Sequence, residues 1–310
     1  VTAKPATAQD IQSIPADAKG RSLWSDSRKR LLKNKGAVVS AVFIVFVCIV
    51  AIFAEEIAPY PFDLQNIDAA LSPPNSTYLL GTDSLGRDML SRIIFGARVS
   101  MAVGVFTAIV SLILGTLYGA LSGWFGGRVD SVMMRVIDIL YTVPELVLLI
   151  LVMVIFSSFD IFTNPELKAL MGIFLALSLV SWVGVARLVR GQVLQVKQML
   201  FVEAASAMGA GGLQIMFKHI LPNIVGPIIV TLTFQIPTNV LFESFLSFIG
   251  LGLQPPFSSW GVLASEGWRS LRTFPHIIIF PGVAIFFTML AFNLFGDGLR
   301  DAFDPKLKNR

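Results

Sequence analysis

Six stretches of the chain are apolar over lengths that suit helical spans, and polar segments separate them. The first, Ala37–Ala54, has no charged residue in 18. Val99–Phe125 is uncharged, and Ile139–Ser157 contains only Glu145. Ala169–Ala186, Ile220–Phe242 and Thr273–Gly296 carry no Asp, Glu, Lys or Arg. A helix needs about 20 mostly apolar residues to cross ~30 Å of hydrocarbon, so each run predicts one membrane span. Pro222, Pro227 and Pro237 in the fifth run would break a soluble helix. In a bundle, neighbouring helices re-satisfy the freed carbonyls. A cleaved signal peptide has an apolar core of about 7–15 residues and a small-residue cleavage site. The first run is longer, starts late and lacks such a site, so it is expected to be a retained span. The pattern predicts an all-α polytopic membrane protein with six transmembrane helices.

Composition sharpens this. Only 14% of the 310 residues are charged, 55% are hydrophobic, and the mean hydropathy is +0.74. Soluble domains carry about 25% charged residues, which excludes a soluble enzyme or a nucleic-acid-binding module. The net charge of +4 then reports topology. With the N-terminus in the cytoplasm, segments 1–36, 126–138, 187–219 and 297–310 lie inside and hold 18 of the 24 Lys and Arg. That excess predicts both termini inside. Accordingly, 1–36 is expected as a cytoplasmic segment, partly disordered, and 37–54 as the first span. Residues 55–98 would form an extracytoplasmic loop. Residues 99–296 would form a five-helix core interrupted by a cytoplasmic loop at 187–219, with 297–310 as a cytoplasmic tail.

Catalytic patterns are missing. The sequence has no G-x-x-x-x-G-K-[ST] phosphate loop, no H-E-x-x-H and no G-x-S-x-G. Cys48 stands alone, and His219 and His276 are too few for a metal cluster. Two acids stand out within the apolar runs. Glu145, just after Pro144, is a candidate for the permeation path; Glu243 reads as a carboxylate near an interface or bonded to a neighbouring helix. Gly115, Gly119, Gly123 and Gly127 at four-residue spacing predict close helix packing, with a hinge as the alternative.

The segment between the fourth and fifth runs carries the most information. Val189, Val193, Val196 and Leu200 extend the fourth helix beyond its span, and Leu213, Met216, Phe217, Ile220 and Leu221 give an amphipathic approach to the fifth. Between them, Glu203 to Met208 suits a short helix with small Ala204, Ala205 and Ala207, ended by Gly209 in the left-handed conformation. The result is a two-armed hairpin with an exposed helix at its tip, suited to insertion in a groove on a partner.

These residues resemble the membrane-spanning subunits of ATP-binding-cassette importers. Their signature is EAA, three residues, Gly, nine residues, then I-x-L-P. Here it reads Glu203-Ala204-Ala205, Gly209 and Leu221-Pro222, with His219 at the Ile position. The string HILPN, together with GTDSLGRDMLSRIIFGARVS (Gly81 to Ser100), ESFLSFIGLGLQPPFSSWG (Glu243 to Gly261) and GDGLRDAFDP (Gly296 to Pro305), is similar to the C-type permease of dipeptide and oligopeptide importers. The resemblance implies a type I importer permease fold in the bacterial inner membrane. It implies a B-type permease partner, two ATP-binding subunits that hold the ATP and Mg, and an extracytoplasmic peptide-binding protein, with no cofactor or metal on this chain. Glu203, Ala204, Ala205, Gly209, Leu221 and Pro222 would form the coupling segment that docks an ATPase. Thr82, Asp83, Arg87 and Asp88 would contact the binding protein or form an external lid held by Arg–Asp pairs. Trp260 and Trp268 would be interfacial anchors or gate elements. A permease for another solute such as nickel, or an ion-coupled secondary transporter, is the alternative.

Overall fold

The computed structural model describes residues 23–159 and 162–304, and among these it is almost wholly helical. Expectations for residues 1–22 and for Pro305 onward lie outside the described residues. Helix α1 (Leu23–Lys33) has Asp26 in its first turn and Arg30 and Lys33 in its last, each at the end its charge favours. The part of segment 1–36 that is described is therefore folded. Asn34 breaks the chain and caps α2 (Lys35–Ile52), its side-chain oxygen accepting from the Ala37 N–H at 3.2 Å. A one-turn helix α3 (Ala54–Ile57) follows.

Helix α4 (Met89–Phe125) starts ten residues before the expected span, because Asp88 caps it through the Ser91 N–H at 2.8 Å. Its 37 residues rise about 55 Å, well beyond the ~30 Å of hydrocarbon. Gly126 and Gly127, both at positive φ, end it.

The third expected span is two helices. Segment 126–138, expected as a loop, belongs to α5 (Gly127–Thr142), and α6 (Glu145–Ser157) leaves it at 87°. Pro144 lacks the N–H needed to continue α5 and fixes the break.

Helix α7 (Pro165–Lys197) is continuous, and Val189, Val193 and Val196 are buried as the periodicity predicts. Met199 is extended, so Leu200 opens the next helix, α8 (Leu200–Ala207), and is exposed. One turn, α9 (Gly212–Ile215), and a π turn, Met216–Ile220, lead into α10 (Leu221–Phe248). The π turn shifts the buried face to Ile215, Met216, Ile220 and Ile224, leaving Leu213 and Phe217 exposed against expectation. Helices α11 (Trp260–Trp268) and α12 (His276–Phe303) complete the chain. Five helices are long and apolar enough to cross a membrane, and the bent α5–α6 pair makes up to six.

The widest contact is α4 on α7. A Cβ on Gly115 would lie 2.6 Å from Val185 Cβ, on Gly119 2.3 Å from the Ala186 carbonyl oxygen, and on Gly123 3.0 Å from the Arg190 oxygen. Gly115 and Gly119 leave no room for a Cβ and Gly123 only a tight fit, so three of the four spaced glycines form a packing face; Gly127 instead helps end the helix. Asn239, fully buried on α10, donates to the Gly104 carbonyl at 3.3 Å and accepts from Ser181 Oγ at 3.0 Å. It joins α4, α7 and α10 at one level. Outward, Val39, Val42, Val45, Phe46 and Ile49 of α2 form an apolar face without cover, as a lipid-facing helix requires.

Candidate functional site

Three features stand apart from the packing: a charged loop at the end where α4 begins, a cavity at the α5–α6 break, and the hairpin at the opposite end.

The loop before α4 folds on glycine turns. Gly86, at φ 71°, passes so near the Asn66 carbonyl that a Cβ would sit 1.7 Å from its oxygen. Thr82 Oγ1 accepts from the Ser72 N–H at 2.9 Å and donates to the Ala69 carbonyl. Asp83 Oδ1 accepts from the N–H groups of Leu85 (2.8 Å) and Arg87 (2.9 Å). Its Oδ2 accepts from Arg87 Nε and Arg92 Nη1, each at 2.6 Å. Glu266 of α11 closes the cluster, pairing with Arg87 Nη2 at 3.0 Å and with Arg92 Nη1. Two guanidiniums and two carboxylates thus balance, and ions this deeply buried are retained only in such pairs. Thr82, Asp83, Arg87 and Asp88 are all buried, so their side chains brace the loop from within and leave little surface for a partner. Sequence reasoning missed Arg92 and Glu266. The signal was present, since Glu266 is the only acid between Glu243 and Asp297.

Glu243 sits one layer deeper, fully buried on α10. Ser100 Oγ of α4 and Ser247 Oγ donate to its carboxylate at 2.9 Å each, and Ser100 Oγ also accepts from the Trp260 N–H at 3.2 Å. Of the two readings of Glu243, bonding to a neighbouring helix is the one seen. Trp260 is in the core, with its indole N–H on the Ile93 carbonyl at 3.1 Å, while Trp268 is exposed. Trp260 therefore holds α11 against α4 and is no interfacial anchor.

At the α5–α6 break a cavity of about 360 Å³ opens, lined by Tyr141, Glu145, Ser181, Gln235 and Thr238 among apolar side chains. Ser181 lies 16 residues from either end of α7, and Gln235 is likewise central in α10. The cavity is therefore midway along both helices, each of which runs on into a hairpin arm.

At the far end, the hairpin arms are one packed unit. Val185, Val189, Val193 and Val196 of α7 meet Val202 and Ala205 of α8 and Ile215, Ile220, Ile224 and Ile228 of the return arm. Lys197 Nζ donates to the Trp124 carbonyl at 2.6 Å, and the Trp124 ring lies where a Cβ on Gly212 would be. The end of α4 thus braces both arms. Glu203, Ala204 and Gly209 are exposed at the tip, and Gly209 has φ 83°. Ala205 packs inward, and Leu221 and Pro222 lie at the base of the return arm. The tip also exposes Leu200 (82%) and Met208 (83%), apolar knobs with no cover on this chain.

A multi-helix membrane core with a broken span, a cavity at the break and a rigid hairpin defines a membrane transport component. Residues 115–309 match the family of binding-protein-dependent transport system inner membrane components, and residues 22–74 match the N-terminal transmembrane domain of oligopeptide transport permease C. The chain belongs to that inner membrane component family. It is 42% identical over 305 residues to the oligopeptide transport system permease protein OppC of Bacillus subtilis, covering 98% of this chain and 97% of that one. It is also 42% identical to the dipeptide transport system permease protein DppC of the same organism, over 93% and 87% of the two chains. The glutathione transport system permease protein GsiD of Pectobacterium atrosepticum is 39% identical, over 94% of each. A chain of the MetNI methionine ABC transporter, solved in inward-facing conformations, matches with TM-score 0.53 at 16% identity, over 69% of this chain and 97% of that one. That likeness carries the fold. The protein is a multi-pass inner membrane permease subunit of an importer of this type.

Proposed function

We propose that the chain, paired with a B-type permease, forms half of the path by which di- and oligopeptides enter the cell. Two ATP-binding subunits, carrying the ATP and Mg, dock on the tip of the hairpin, and an extracytoplasmic binding protein delivers peptide at the charged-loop end. Both termini are cytoplasmic. The names of the relatives support the substrate class. The observation that carries the mechanism is the hairpin: an exposed short helix with apolar knobs, mounted on arms that pack as one cluster running back toward the cavity. A push on such a tip moves the arms as a body, because a close-packed cluster is bistable and does not deform smoothly. Glu145, in the cavity those arms border, lines the path.

The test is uptake into vesicles carrying the assembled transporter. Peptide import that requires ATP and the binding protein, and survives collapse of ion gradients, is the expected result. Import that follows an ion gradient without ATP would overturn the reading in favour of a secondary transporter.

A further inference from the structure

The cavity at the α5–α6 break is unusual in what it offers a ligand. The Glu145 carboxylate, exposed on this chain, has no hydrogen-bond or ion-pair partner among the described residues. Ser181 Oγ has given its proton to Asn239, and Thr238 Oγ1 has given its proton to the Phe234 carbonyl at 2.9 Å. Both hydroxyls therefore face the cavity as acceptors. In a continuous helix, residue 144 would donate to the Leu140 carbonyl, but Pro144 has no N–H to give. The lining thus offers these acceptors beside two donors, the Tyr141 hydroxyl and the Gln235 amide, which gives a single Asn239 bond at 3.4 Å.

The charge balance has the same sign. The C-terminus of α5 and the N-terminus of α6 meet here, and their opposite half-charges of about 0.5 each offset one another. What is left is Glu145, the one Asp, Glu, Lys or Arg among the lining residues. Arg187, stacked 4.1 Å over the ring of the lining residue Tyr141, is itself paired with Asp138 at 2.5 Å. An ionisable residue within a membrane span marks a functional path, and broken helices are where transporters hold their cargo. A volume of about 360 Å³ suits a small ligand or the end of a longer one.

We propose that this cavity is a site within the membrane core for a protonated primary amine, the free amino end of the transported peptide, with Glu145 as its counter-charge. The inference rests on the peptide reading above and adds to it which end of the cargo this subunit holds. Glu145 accepts from the ammonium group, with the Ser181 and Thr238 oxygens and the Leu140 carbonyl as further acceptors around it. A basic side chain from the companion permease would satisfy the same carboxylate, and the two sources are separable.

The experiment uses the complete reconstituted transporter, with its binding protein saturated by trialanine or by propionyl-dialanine, which lacks only the amino group. Saturation of the binding protein by each peptide is checked separately, so the rate reads the membrane step. The wild-type assembly should import trialanine about tenfold faster, the size expected for one charge-assisted hydrogen bond. Glu145→Gln should slow trialanine to the propionyl-dialanine rate and leave the latter unchanged, while Glu145→Asp recovers part of the difference. Co-purification of all subunits with each variant confirms assembly. Equal rates for the two peptides in the wild type would overturn the proposal. So would a Glu145→Gln variant that slows both peptides equally, which assigns the carboxylate to a partner's cation or to assembly, or one that slows neither. If the wild type imports neither peptide, the peptide reading itself falls, an outcome distinct from all of these.

Discussion

Asp83→Asn isolates what the buried charge cluster contributes. The substitution keeps size and shape, and Oδ1 can still accept from the Leu85 and Arg87 N–H groups. At Oδ2 it places an NH₂ group against Arg87 Nε and Arg92 Nη1, where the native oxygen accepts two bonds of 2.6 Å. Two guanidiniums, 2% and 0% exposed, are then left with Glu266 as their one carboxylate, Arg92 Nε keeping its bond to Ser258 Oγ at 3.3 Å. Breaking a buried ion pair from one side costs about 3–5 kcal/mol. Since Glu266 still faces both guanidiniums, the lower end applies, about 3 kcal/mol, or about two orders of magnitude in the population of the opened loop. Hydrogen exchange of the Thr82 and Met89 amides reads this directly. They bond to the carbonyls of Ser72 and Gly81, both at 3.0 Å, and touch no atom of the altered side chain. Their exchange should accelerate about a hundredfold, with helix content unchanged. Glu266→Gln should give a smaller rise, about tenfold, because Glu266 is 21% exposed and water replaces part of the loss. Acceleration below about threefold in Asp83→Asn would sink the claim that these charges hold the loop closed.

Other substitutions test the remaining parts. Gly119→Leu should destabilise the purified chain by about 1–3 kcal/mol or more in thermal unfolding, as its side chain meets the Ala186 carbonyl, whereas Gly191→Ala, with nothing within 4 Å, should be silent. Gly209→Ala strains a φ of 83° by about 1 kcal/mol and, like Glu203→Ala, should weaken co-purification of the ATPase subunits while membrane insertion is unaffected. A reporter fused after residue 70 should be extracytoplasmic and one near residue 200 cytoplasmic; the reverse pattern would overturn the charge argument for topology.

The spans were legible because a long apolar run admits few structures in lipid. Segment 126–138 was not, because its charges mimic a solvated loop. Asp130 instead binds Arg190 through both oxygens at 2.5 Å, and Asp138 binds Arg187, partners 60 and 49 residues away. No local pattern carries pairings that distant. Gly209 could be read because a left-handed helix end is a local need. The faces of Leu200 and Leu213 could not, since an extended Met199 and a π turn at Met216 reset the helical register. The charged loop was half legible for the same reason: Asp83 and Arg87 are four residues apart, while Glu266 arrives from α11.

The arms of the hairpin link its tip to the cavity. The cluster that buries Ala205 near the tip runs to Val185 on α7 and Ile228 on α10, and Gly184, next along α7, already lines the cavity. Val189 and Ile220 lie in its middle, both fully buried. Ile220→Ala removes about 2–5 kcal/mol of packing, and Val189→Ala somewhat less. If the arms carry motion as a body, loosening their packing should lower the number of peptides moved per ATP hydrolysed several-fold, while hydrolysis itself continues. Ile137→Ala is the control, since Ile137 is equally buried but packs against Val183 and Ala186, outside that cluster. It should reduce the amount of folded transporter and leave the ratio alone. Uptake and hydrolysis falling in the same proportion in Val189→Ala/Ile220→Ala would mean that the arms only support the tip, and that the signal reaches the cavity by another route.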